Sequence, residues 1–223
     1  MRVWSVLGQK GGSGKTTLVL HLAIAAISKG RVVSVVDLDS QRSAEQWSEV
    51  REKRAGSHDP PVVHGTASNL GQMLEAARAT GTDLVLVDTP PAVDRTMILA
   101  AAAADLIIVP SRASILDHLA LKDTLTLLKA AHALAKVVVV FNAIRSDKRS
   151  KAELAEMTKS VSDQFKVPVV GATLEDRADF SRSLGLGKGV TENAPRGPAA
   201  RELQALFRLL CQWERKLAQR VAA

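Results

Sequence analysis

The stretch Gly8-Gln9-Lys10-Gly11-Gly12-Ser13-Gly14-Lys15-Thr16-Thr17 constrains this chain more than any other. An apolar run, Val3-Trp4-Ser5-Val6-Leu7, precedes it, and a helix-forming segment from Leu18 to Lys29 follows it. Strand, glycine-rich loop and helix in that order, with Gly8 to Thr16 fitting G-x-x-x-x-G-K-[ST], describe a phosphate-binding loop. Glycines lack a Cβ, so the backbone of Gly11, Gly12, Ser13 and Gly14 can curl and aim its N–H groups at one oxyanion cluster. The helix N-terminus, at Thr16 and Thr17, adds partial positive charge. Lys15 is placed to neutralise the β and γ phosphates of a nucleotide, and the Thr16 hydroxyl to hold Mg²⁺.

Acids recur where such a loop needs them. Arg31 to Asp37 reads as a buried parallel strand, with β-branched residues on both faces, and Asp37-Leu38-Asp39 closes it. In open α/β sheets ligands bind at that carboxyl edge, so two carboxylates there can face Mg²⁺ and an attacking water. The same stretch also reads as a helix start, with Ser43 as N-cap and Gln46 at the third helical position. Asp83-Leu84-Val85-Leu86-Val87-Asp88 is a second aliphatic strand ending on an acid, which makes Asp88 a candidate Mg²⁺ ligand through water. The following Thr89-Pro90-Pro91 is a stiff loop suited to sensing a γ-phosphate. Lys136 to Asn142 is another strand; Asn142 at its tip reads either as an adenine contact or as a turn-forming asparagine.

Seven apolar runs (3–7, 31–37, 62–64, 83–88, 105–110, 136–142 and 167–171) alternate with helical patterns. They predict one doubly wound α/β domain over residues 1–223, with a largely parallel sheet of about seven strands. Pro168 puts the last run at a sheet edge. A length of 223 residues with 46% hydrophobic content supports a core of that size. Cys211 alone forbids an internal disulfide, which suits a reduced cytosol. Val3 to Leu7 is too short for a secretory leader, and Ile98 to Ala104 is too short to span a bilayer. The net charge is +7, and between Arg177 and Arg220 nine basic residues face four acidic ones. That end of the chain suggests a polyanion, DNA or an acidic membrane surface, or else a charged outer helix face. The last helix, from Pro198 to about Arg220, carries a stripe of Leu203, Leu206, Phe207, Leu210, Leu217 and Val221, read as packing on the sheet.

Lys10 lies five positions before Lys15, inside the loop. A second cation is superfluous for cradling one phosphate. It reads either as a solvated surface lysine or as a group that reaches a second active site, as an arginine finger does in trans. Lys10-Gly11-Gly12-Ser13-Gly14-Lys15-Thr16-Thr17 resembles the deviant Walker A box of the ParA/MinD ATPases, a group of P-loop NTPases. The resemblance covers nearly the whole chain and is nearest the short ParA proteins. It implies that Lys10 crosses the interface of an ATP-sandwich homodimer. It also implies that Asp39 orients or deprotonates the hydrolytic water, Ser40 standing where the family has proline, and that Asp88-Thr89-Pro90-Pro91 is the second switch. Asn142 falls where the family contacts adenine. In the tail, Arg177, Arg182, Lys188 and Arg196 fall where the family binds DNA without sequence preference.

The implied activity is a weak intrinsic ATPase that positions plasmid, chromosome or protein-cluster cargo. It would work in the cytoplasm on the nucleoid, with hydrolysis stimulated by a ParB-like adaptor. A MinD-like membrane switch and a metabolic ATPase of the same superfamily are the alternatives. An electron donor like the nitrogenase iron protein needs cluster-ligating cysteines, and Cys211 is the single cysteine.

Overall fold

The computed structural model describes residues 1–92 and 94–222. Six parallel strands form one sheet in the order β3-β2-β4-β1-β5-β6. They are β1 (Arg2–Val6), β2 (Val33–Asp37), β3 (Val62–His64), β4 (Leu84–Asp88), β5 (Leu106–Ser111) and β6 (Val137–Phe141). The expected seventh strand does not form. Val167 to Gly171 meets β6 in one isolated bridge, Val139 to Val169, because Pro168 has no N–H with which to extend the ladder.

The helices are α1 (Lys15–Ile27), α2 (Ser43–Ala55), α3 (Leu70–Ala79), α4 (Arg95–Ala103), α5 (Ile115–Ala130), α6 (Lys148–Phe165), α7 (Ala178–Gly185), α8 (Val190–Asn193) and α9 (Pro198–Ala222). Side chains alternate across the sheet, so it has two cores. Trp4, Val6, Leu84 and Leu86 pack under α1, α2, α7, α8 and α9. Val3, Leu7, Val85 and Val87 pack under α3, α4, α5 and α6.

One local expectation is corrected. Ser43 does not cap α2. It is the first helical residue, and the Asp37 carboxylate at the tip of β2 accepts from Ala44 N (2.9 Å) and Glu45 N (3.3 Å) instead. A carboxylate at a helix N-terminus satisfies orphan donors and complements the dipole, so it displaces the weaker hydroxyl cap. In α9, Leu203, Leu206, Phe207 and Leu210 are buried in the sheet core as expected, and Leu217 packs against them in part. Val221 lies outside the residues whose side chains are described.

Side chains of α1 and α2 hold the irregular tail. The buried His21 of α1 accepts from Val190 N at Nδ1 (3.3 Å), so its Nε2–H donates to Phe180 O (3.1 Å). From α2, Trp47 Nε1 donates to Leu184 O (3.1 Å), Arg54 to Gly185 O (2.7 Å) and Arg51 to Gly187 O (2.7 Å). Gly187 has φ 69°, and a Cβ there would meet the Arg51 backbone at 2.6 Å, so this approach needs glycine twice over.

Burial lowers the His21 pKa to about 4, against a smaller opposing effect of the Phe180 carbonyl. The folded state therefore prefers neutral His21. Its contribution is complete above pH 6.5 and is lost as pH falls toward 4, amounting to about 3 kcal/mol. The urea midpoint of the native chain should fall between pH 7 and pH 4.5 more steeply than that of His21→Gln; parallel curves would refute this.

Candidate nucleotide site

Register brings the predicted residues together. Asp37 pairs with Asp88 across β2 and β4, and Val6 pairs with Asp88 across β1 and β4. Both acids thus stand beside the start of the glycine loop, at the carboxyl edge of the sheet. The loop wraps into α1 with Gly12 at φ 73° and Gly14 at φ 88°, conformations that side chains disfavour. A Cβ on Gly14 would also strike Asn142 Nδ2 at 2.3 Å.

Gly11, Gly12, Gly14, Lys15, Thr16, Thr17, Asp39, Gln41, Ser43 and Pro91 line an open pocket. Its floor is built from charge. Lys15 is buried, and its Nζ donates to Lys10 O (3.1 Å). Burial lowers its pKa, while Asp88 and Asp39 act in the opposite sense. Thr16 Oγ1 donates to Asp88 Oδ2 at 2.6 Å. Asp88 is fully buried, and burial chiefly raises its pKa, to about 7; Asp37 adds to this, and the Thr16 hydroxyl and Lys15 oppose it.

Asp88 Oδ1 is buried with no hydrogen-bond partner among the described residues. A buried carboxylate oxygen without a donor, beside a threonine hydroxyl at a phosphate loop, suits a hard cation with oxygen ligands. Thr16 and Asp88 thus fit Mg²⁺. Asp39, half-buried on the pocket wall, accepts from Gln41 N (3.0 Å) through Oδ1.

The remaining predicted residues are placed as follows. Ser13 is buried within the loop. Asn142, at the tip of β6, donates to Ser13 O (2.9 Å), so its carboxamide braces the phosphate loop. Arg177 is bonded to Glu202 (2.7 Å) and Glu175 (2.7 Å), so its charge is already matched. Arg182, Lys188 and Arg196 are exposed, away from the nucleotide pocket.

Lys10 does not line its own pocket. Its Nζ lies 2.7 Å from Asp117 Oδ1 in the first turn of α5, with the lysine side chain 37% exposed and the carboxylate 6% exposed. Asp117 also accepts from the Ser114 hydroxyl. Sequence reasoning missed Asp117. Ser114-x-x-Asp117 carries a helix-start signature, but nothing in it points to Lys10. Gln41 and Ser43 were missed as pocket residues because only folding brings their loop to the phosphate loop, whereas Pro91 of the expected γ-phosphate-sensing loop does line the pocket.

Residues 4–190 match the family described as the CobQ/CobB/MinD/ParA nucleotide binding domain. The chain belongs to this family. Within it, the ParA/MinD proteins are P-loop ATPases. The chain is 33% identical over 213 residues to the maintenance of carboxysome distribution protein A of Gloeobacter kilaueensis, covering 95% of this chain and 93% of that one. It is 26% identical over 229 residues to the chromosome-partitioning ATPase Soj of Thermus thermophilus, covering 91% and 92%. The fold also matches a solved ATP complex of a Cyanothece McdA variant, with TM-score 0.68, 18% identity and 96% of each chain covered.

Proposed function

We propose that this chain is a ParA-type positioning ATPase that closes an ATP-sandwich homodimer and holds DNA without sequence preference. In this reading it moves its cargo in the cytoplasm, on the nucleoid. The observation that carries the reading is the Lys10 ammonium. It lies outside the phosphate cradle of its own chain, is partly exposed at the rim, and is held by one carboxylate that it can exchange for a phosphate. Beside it on α5, Ile115, Leu116 and Leu119 are 71%, 66% and 51% exposed, which suits a face that meets a second copy. Carboxysome distribution and chromosome partitioning, named for the two relatives, support a cargo-positioning role. A cargo-bound adaptor of the ParB kind would stimulate hydrolysis.

In the reaction, Lys15 and the loop N–H groups hold the β and γ phosphates. Lys10 of the opposite copy stabilises charge on the transferring phosphoryl group, and Asp39 orients the attacking water. Thr16 and Asp88 would hold Mg²⁺, which when bound would neutralise phosphate charge. Asn142, through its bond to Ser13 O, holds the phosphate loop in shape.

The test uses Asp39→Ala with Mg²⁺ and ATP. This variant is expected to accumulate as an ATP-loaded dimer in light scattering, with phosphate release about 10²-fold or more below the native chain. An unaltered rate would remove Asp39 from the mechanism. A native chain that stays monomeric at high concentration with a non-hydrolysed ATP analogue would refute the dimer.

A further inference from the structure

In α9, Arg201, Arg208 and Arg215 recur at every seventh position, and all three are exposed. Seven residues are close to two helical turns, so the three guanidinium groups stand on one outer face, roughly 10 Å apart along the axis. Among the described residues none of them has a carboxylate within salt-bridge distance. A groove beside this face is lined by Lys29 and Arg31 from the loop between α1 and β2 and by Gln204, Arg208, Gln212 and Arg215 from α9. Glu214 also reaches the groove, but its carboxylate is taken up by Trp4 Nε1 (2.7 Å) and Arg31 (3.4 Å). The free charge of the groove is therefore positive.

We infer that this arginine column, with Lys29, is a binding surface for the phosphodiester backbone of duplex DNA. The inference rests on the DNA-binding part of the reading above and moves the contact surface from Arg177, whose charge is matched, to α9. Arginine suits this partner because its planar fork bonds a phosphate through two donors. The spacing spans several successive phosphates of a duplex. An anionic membrane would supply the same charge, but Leu203, Leu206, Phe207 and Leu210 of α9 are buried in the sheet core, and Leu209, Trp213 and Leu217 are partly buried against it. The groove is lined mainly by charged and amide side chains; its apolar members are the buried Phe207 and the half-buried Cys211, and no large aliphatic side chain lines it to enter a bilayer. A backbone contact of this kind carries no sequence information.

The test measures binding of the full chain, with Mg²⁺ and a non-hydrolysed ATP analogue, to a labelled duplex of arbitrary sequence across a salt series. Arg208→Gln with Arg215→Gln should weaken binding by about tenfold or more and reduce the log–log salt slope by about 1.8, at 0.9 per lost phosphate contact. Nucleotide binding and the melting temperature should not change. Arg208→Lys with Arg215→Lys, which keeps the charge, should keep the salt slope. A native chain that binds duplex, with a glutamine variant of equal affinity and slope, overturns the α9 surface and leaves the reading of function intact. A native chain that binds no duplex in any nucleotide state overturns both. If it instead sediments with anionic phospholipid vesicles and the glutamine variant does not, the partner is a membrane and the inference fails.

Discussion

Lys10→Ala is expected to lower ATP turnover by about 10³-fold, measured as phosphate release at protein concentrations that support self-association. An isolated ammonium acting in trans carries much of the charge compensation for the phosphoryl in flight. Binding of a fluorescent ATP analogue by the monomer should change little, since Lys10 is absent from the pocket lining of its own chain. The variant also leaves Asp117 buried without its cation, a structural cost that could be mistaken for a catalytic one. The double variant Lys10→Ala with Asp117→Asn separates them. It removes the orphaned charge, so its stability should recover while its turnover stays low. Recovery of turnover along with stability would show that Lys10 serves the fold alone. Turnover within threefold of the native rate in the single variant would exclude the trans role.

Arg51→Ala is expected to destabilise the chain by about 3 kcal/mol, seen as a fall of roughly 6–12 °C in melting temperature. Arg51 is buried to 4% exposure and stacks over Trp47, with its guanidinium 5.5 Å from the ring centroid. It makes paired bonds to Glu192 (2.8 and 2.9 Å) and further bonds to Gly187 O and Asp59 O. Truncation strands two backbone carbonyls and half of an ion pair. Glu192, with its side chain 32% exposed, is partly rescued by water, so the loss falls at the low end for a buried pair. Arg51→Lys should recover only part of the loss, because an ammonium cannot reproduce the fork. A melting temperature within about 2 °C of the native value in the alanine variant would show that the tail does not depend on this tie.

The site was legible in the sequence where chemistry is local. The glycine spacing, Lys15 and Thr16 are consecutive, and the aliphatic strands ending on Asp37 and Asp88 carry their own periodicity. Contacts that need distant segments were not legible. Asp37 competes with Ser43 to cap α2 and wins because the turn after β2 carries its carboxylate to the helix start, seven residues on. The missing strand turned on Pro168: an apolar run satisfies the pattern for a strand, but a ladder also requires donors. Arg177 appeared as a free cation in the charge count, and only folding set Glu202 beside it.

By itself the sequence determined the phosphate loop, the α/β alternation and the two acids at strand tips, since each depends on residue types at short spacing. Tertiary structure alone decided which charges are free. It pairs Lys10 with Asp117, matches Arg177 to Glu202 and leaves Arg208 and Arg215 open on α9. The physical reason is that Coulomb interactions act through space and are screened over about 10 Å in dilute salt, whereas residues adjacent in the fold can be far apart along the chain.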